Sequence, residues 1–179
     1  REVVRIITPG TVTEGGYLDE KKNNYIASAV CDDFGCGIAF ADISTGEISA
    51  TEILGENIPA RVVSEAAAYS PSELIVPTDF STAISGLFSG RFNTLITNGE
   101  LFDFAVTTAI ETIKSVYNET PQTNSDYAVR AAGGLLAYIK RTQKIDLSYL
   151  QKINFYSCEE SRRNSPYFLY GIYTADSEQ

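Results

Sequence analysis

The sequence predicts an α/β fold in which a mixed five-stranded sheet carries helices on its faces. Three β-rich runs follow one another with only short polar turns between them, the layout of an antiparallel meander. Beyond residue 55 the spacing of apolar residues changes, and two more strand-like runs are separated by helical ones. Strands joined through helices become parallel crossovers in the same sheet.

The run VVRII (3–7) is β-branched and stops at the turn signal Thr8-Pro9-Gly10. A polar connection, YLDEKKNN, leads to YIASAVC (25–31), which is closed by the turn residues Asp32, Asp33 and Gly35. GIAFADI (37–43) and EISATEI (47–53) follow, separated only by Ser44, Thr45 and Gly46. In the first of these, Ile38 and Phe40 face one way while Ala39, Ala41 and Ile43 face the other. A strand apolar on both faces is expected in the middle of a covered sheet.

Asn57 is placed to cap a helix, with Pro59 in the first turn, where its missing N–H costs nothing. Val62, Val63, Ala66 and Ala67 recur at helical spacing until Ser70-Pro71 ends the run. ELIVP (73–77) reads as a buried strand, residues 81–88 as a small helix and NTLIT (93–97) as another strand. Phe102, Val106, Ala109, Ile113 and Val116 draw an apolar stripe along a helix at 101–117. After the polar loop NETPQTNS (118–125), a helix runs from 126 to 143 with Asp126 as its cap. Ala128, Ala132, Leu135 and Ile139 mark its buried side. A three-strand meander followed by α-β-α-β-α is the ribonuclease H-like arrangement.

A chain of 179 residues, 44% hydrophobic and 21% charged, is expected to form one globular domain with a short extension. No run approaches the ~18 apolar residues of a membrane span, so no membrane role is expected. The N-terminus has no signal layout and no initiator Met, so the chain is read as beginning inside a longer protein. A net charge of −9 with scattered basic residues opposes direct nucleic-acid binding, which needs clustered Lys and Arg. Cys31 and Cys36 have a C-x4-C spacing, but zinc needs four ligands and the chain has no His. Three Cys in a chain of this length are therefore expected to be reduced, structural thiols of a cytoplasmic protein. The sequon Asn118-Glu119-Thr120 is read as silent.

Asp42, in FADISTGEISATEI, is the first candidate for chemistry. Asp42 with Asp79 and Asp103 could in principle supply a two-metal nuclease, which needs carboxylates converging on ions ~3.5–4 Å apart. Ser44-Thr45-Gly46 between two strands is, however, what a hairpin turn requires, with Gly at positive φ and Asp42 bonding the turn backbone. The turn is the preferred reading. A chain without His holds no Ser-His-Asp or Cys-His arrangement, and no glycine-rich phosphate loop is present. Gly133-Gly134 falls inside the last helix, where each glycine costs ~1 kcal/mol against alanine. A small-residue patch that lets this helix approach its neighbours closely accounts for the pair.

VVRIITPGT, LDEKKNNYIASA, FGCGIAFADISTGEI, YSPSELIVP, AAGGLLAYIKRTQK and IDLSYLQKINFY, in this order, resemble the connector domain (domain II) of bacterial MutS DNA mismatch-repair proteins. The likeness runs over residues 1–158. Residues 159–179 are an extension. Its Ser161-Arg162-Arg163-Asn164 is similar to the T-R-R-N that starts the family's core domain, whereas SPYFLYGIYTADSEQ departs from the pattern, as an incomplete segment would. The resemblance implies a ribonuclease H-like domain without nuclease chemistry that links the mismatch reader to the core, lever and ATPase domains. It implies no catalytic, cofactor or metal residue in this stretch. ATP and Mg belong to the parent's ATPase domain, and mismatched DNA is engaged only through the full-length protein. The implied partners are the other domains of the same chain and MutL. Asn124, Asp126, Tyr127 and Arg130, beside a loop too polar to be core, are the candidate partner-binding residues.

Overall fold

The computed structural model describes residues 6–11 and 24–158. Three strands form the meander: β1 (Tyr25–Cys31), β2 (Gly35–Asp42) and β3 (Glu47–Leu54). Then come helix α1 (Ile58–Tyr69), β4 (Glu73–Pro77), α2 (Ser81–Phe88), β5 (Leu95–Gly99), α3 (Val106–Tyr117), α4 (Asp126–Gln143) and β6 (Asn154–Phe155). The strands form one mixed sheet in the order β5-β4-β1-β2-β3-β6. β1, β2 and β3 pair antiparallel, and β4, β5 and β6 join in parallel.

The expected meander and crossovers are present, but among the described residues the sheet has six strands rather than five. The missed strand is β6, whose Asn154 and Phe155 align with Ser49 and Ala50 of β3. Two residues are too few to show a period of two, so nothing in local pattern announces them. The expected strand at 3–7 lies mostly outside the described residues, and Ile6 and Ile7 are not in a strand. The extension 159–179 also lies outside them.

β2 is buried along its whole length, as its two-faced apolar pattern requires. Ile38 and Phe40 join Val62 and Ala66 of α1 in one core layer. Ala39, Ala41 and Ile43 join Leu135 and Ile139 of α4 in the other. Three helix details differ from expectation. Asn57 precedes α1 in a left-handed conformation (φ 57°) and makes no side-chain capping bond. α4 is capped by Ser125, whose Oγ accepts from the Ala128 N–H at 3.1 Å, and not by Asp126. The helix expected at 101–117 is broken at Ala105, whose extended backbone (φ −72°, ψ 140°) separates a single 3-10 turn (Leu101–Phe104) from α3. The break turns Phe102 outward, 73% exposed, and Phe104 takes the core position.

α4 lies unusually close to its neighbours. A Cβ on Gly37 of β2 would fall 1.9 Å from the Tyr127 carbonyl oxygen, and one on Gly133 would fall 2.4 Å from Cα of Ala109 in α3. A Cβ on Gly134 would meet the Phe104 ring at 2.4 Å. The Ser28 hydroxyl then donates to the Ala131 carbonyl at 2.6 Å, tying β1 to the middle of α4. Gly133→Ala separates two effects of opposite sign. Helix propensity alone would stabilise by ~1 kcal/mol, whereas overpacking against backbone costs ~1–3 kcal/mol. Denaturant unfolding is expected to show a net loss of about 1–2 kcal/mol; a neutral or stabilised variant would mean that α3 and α4 are not in contact there.

Candidate functional site

The β1–β2 hairpin tip and the start of α4 build the most distinctive polar surface. Asp32 follows β1 and its Oδ1 accepts from the backbone N–H of Phe34 at 2.9 Å and of Gly35 at 3.1 Å. The same oxygen accepts from the Tyr127 hydroxyl of α4 at 2.6 Å. This bond holds the Asp32 carboxyl below its ordinary pKa and, seen from the other side, pushes the Tyr127 phenol up to about 12. The Arg130 guanidinium lies 5.9 Å from the Tyr127 ring centroid, within cation–π range, while its Nε donates to the Phe104 carbonyl at 2.9 Å. Gly35 is required by this packing, because a Cβ there would strike the Tyr127 ring at 2.6 Å and Leu54 at 2.7 Å.

Of the four residues singled out in the sequence, the structure brings Tyr127 and Arg130 together. Asn124 and Asp126 are exposed on the adjoining loop and first helical turn. Sequence reasoning missed Asp32 and Phe34. Phe34 is 81% exposed at the hairpin tip, and a large apolar residue inside the turn DDFG was the signal that could have found it. The surface offers an aromatic ring, a held cation and a carboxylate, which suits binding. No reacting geometry follows from it.

Asp42 answers to the turn. Its Oδ1 accepts from the Ser44 N–H at 2.9 Å and the Ser44 hydroxyl at 2.5 Å, and Gly46 takes a φ of 78°. Asp42 is aligned with Tyr25 at the start of β1, whereas Asp79 follows the far end of β4, which runs parallel to β1. Asp103 is ion-paired with Arg141 of α4, on the face of the sheet opposite Phe40 and α1. The three acids do not converge, and among the described residues no group of three His, Cys, Asp or Glu could hold a metal ion. The same holds for the cysteines: among the described residues they assemble no metal site.

The expectation of reduced thiols is overturned for Cys31 and Cys36. Cys31 and Cys36 are cross-strand partners at the hairpin tip and are joined by a disulfide. A C-x4-C spacing read only against metal ligation hides the fact that a four-residue hairpin loop places its flanking residues opposite each other. Cys158 is free and buried, and burial pushes its thiol up to about 11.

Among the described residues, no helix is long and apolar enough to cross a membrane. The family model described as MutS domain II matches residues 24–151. Similar curated proteins include the DNA mismatch repair protein MutS of Ruminiclostridium cellulolyticum, 37% identical over 92% of this chain and 20% of the relative. MutS of Acetivibrio thermocellus is 37% identical over 89% of this chain and 19% of the relative. MutS of Alkaliphilus metalliredigens is 38% identical over the same shares, 89% and 19%. The chain thus spans about one fifth of the length of the relatives it matches.

Gly46→Val tests the turn. A β-branched residue at φ 78°, with its Cβ 3.0 Å from the Tyr149 carbonyl oxygen, is expected to lower stability by about 1 kcal/mol or more. An unchanged melting temperature would contradict the turn assignment.

Proposed function

The chain belongs to the MutS domain II family, and on that premise we propose that it is a non-catalytic connector, linking the mismatch-recognition domain to the core, lever and ATPase domains and contributing surface to MutL. The observation that carries the reading is the contrast between the two kinds of polar cluster. The acids that a metal-dependent reaction would use are spread over the sheet, with Asp42 engaged in a turn and Asp103 in an ion pair. The side chains that do converge are the exposed Asp32 and the half-buried Tyr127 and Arg130, held on rigid elements at the surface. Tyr and Arg are the residue types that most often dominate binding interfaces.

The strand order supports a ribonuclease H-like assignment, since β3-β2-β1-β4-β5 places an antiparallel meander beside parallel crossovers. On this reading residues 1–158 are the connector and 159–179 lead toward the core domain. ATP and Mg act in the parent's ATPase domain, the protein is cytoplasmic, and mismatched DNA is bound only by the full-length protein. Asn124 and Asp126 flank the Tyr127–Arg130 pair and complete the partner face with the hairpin tip.

The test is a double substitution in the full-length protein. Replacing Tyr127 and Arg130 by Ala is expected to weaken MutL recruitment at least about fivefold, the equivalent of ~1 kcal/mol, with mismatch binding and ATP hydrolysis unchanged. Undiminished recruitment removes the interface. Loss of mismatch binding as well would identify a folding defect, which the melting curve of the same variant reports.

A further inference from the structure

The Cys31–Cys36 bridge closes the β1–β2 hairpin directly below its tip. Cys31 is half-buried, whereas Cys36 is fully buried in the core layer under α1. Between them lie the exposed Asp32, Asp33 and Phe34 and the buried Gly35. The turn has its own bonds besides the bridge. The Asp32 N–H donates to the Gly35 carbonyl at 2.9 Å, and the Asp32 carboxylate accepts from the N–H groups of Phe34 and Gly35. β1 and β2 stay in register from Tyr25 opposite Asp42 to Cys31 opposite Cys36. What the bridge adds is a stop against fraying. Hydrogen bonds at an exposed strand end open at low cost, and a covalent link across that end keeps the opening from passing down the ladder. Cys158 is buried with its thiol pushed up to about 11, so it is a poor partner for exchange.

A cytoplasm keeps protein thiols reduced, and disulfides found there are as a rule transient and redox-sensing. A bridge with one reachable sulfur, across a turn that has its own bonds, is suited to being made and broken in the folded protein. We propose that Cys31 and Cys36 are a reversible thiol–disulfide switch that sets the mobility of the Asp32–Gly35 tip, and with it the hold of Asp32 on Tyr127 and the placement of the exposed Phe34. In the reducing direction the thiolate of a low-molecular-weight thiol attacks Cys31 Sγ and forms a mixed disulfide. The S–S bond to Cys36 breaks, and Cys36 leaves as a thiolate that takes up a proton. A second thiolate attacks the outer sulfur of the mixed disulfide and releases Cys31, which is protonated in turn. The protein gains two thiols while two small thiols become one disulfide, and a low-molecular-weight disulfide reverses the sequence. The proposal rests on the cytoplasmic reading and not on the role of the Tyr127–Arg130 surface.

The test equilibrates the full-length protein with 2-mercaptoethanol and its disulfide at varied ratios, followed by acid quench and alkylation. No Lys or Arg lies between Lys22 and Arg61, so trypsin leaves both cysteines on one peptide and Cys158 on another. The two thiols are expected to appear and vanish together, reversibly, with one cooperative melt in either state. In the reduced state the amides of Asp32, Phe34 and Gly35 should exchange at least about fivefold faster. Cys36→Ser should let Cys31 form a mixed disulfide with the reagent, whereas in Cys31→Ser the buried Cys36 should stay unmodified. The wild-type comparison needs no substitution, so it decides the matter where a variant is misfolded. Reduction only in denaturant, failure of the bridge to re-form, faster modification of Cys36 than of Cys31, or identical tip exchange in the two states would overturn the switch. In growing cells, acid quenching should find two thiols that become a bridge after a permeant disulfide is added. A bridge closed throughout in cells, in a protein that still switches when purified, would overturn the cytoplasmic reading and leave the chemistry of the pair standing.

Discussion

The near-contact of α4 with the sheet and with α3 is the constraint on which the rest of the structure depends. Helix axes and sheets ordinarily stand off by the width of their side chains. Here Gly37, Gly133 and Gly134 remove those side chains where α4 meets β2, Ala109 and Phe104. The helix is held at that distance by Ser28, whose hydroxyl reaches the Ala131 carbonyl. Helix propensity is given up at two positions in exchange for contact area, which is why a glycine pair is found in the middle of an 18-residue helix. The same approach places the first turn of α4 against the hairpin tip, so Tyr127 can reach Asp32.

The other end of α4 meets the start of the chain. Glu73 is fully buried, and its carboxylate accepts from the Gly10 N–H at 3.1 Å, the Thr97 hydroxyl at 2.8 Å and the Tyr138 hydroxyl at 2.8 Å. Such a group is tolerated in a core only when donors replace its water. Gly10 is again required by space, because a Cβ there would lie 2.7 Å from Ile26. Ile6 N–H donates to the Thr142 carbonyl and the Gln143 side chain donates to the Ile6 carbonyl, so the last turn of α4 also grips the incoming chain. One rigid helix therefore touches the incoming segment at its C-terminal end and the Asp32–Tyr127 surface at its N-terminal end.

Much of this was legible in the sequence, and beyond the helix caps at Asn57 and Ser125 the exceptions share a cause. β1 and β4 were read with their bounds intact because their apolar runs are bracketed by turn residues, and α4 because its stripe is long. Gly46 and the closeness implied by Gly133-Gly134 follow from backbone sterics, which are local. What escaped depends on pairing across the chain. β6 exists because Ala50 and Phe155 meet, and the Cys31–Cys36 bridge because two strands share a register. The break at Ala105 lets Phe104 enter the space vacated at Gly99 and Gly134. An apolar stripe that counts Phe102 as core cannot see that alternative. The Tyr127 and Arg130 half of the candidate surface was found on its own loop, whereas Asp32 and Phe34 lie some 95 residues away in sequence and join it only through the fold.

Native-state hydrogen exchange most directly tests the claim that α4 and the sheet form one unit. If the glycine contacts weld them, the amides of residues 131–138 in α4 and of 39–41 in β2 should exchange only through the same global opening, with equal free energies. A separate opening of α4 at a free energy ~2 kcal/mol or more below that of β2 would contradict the account.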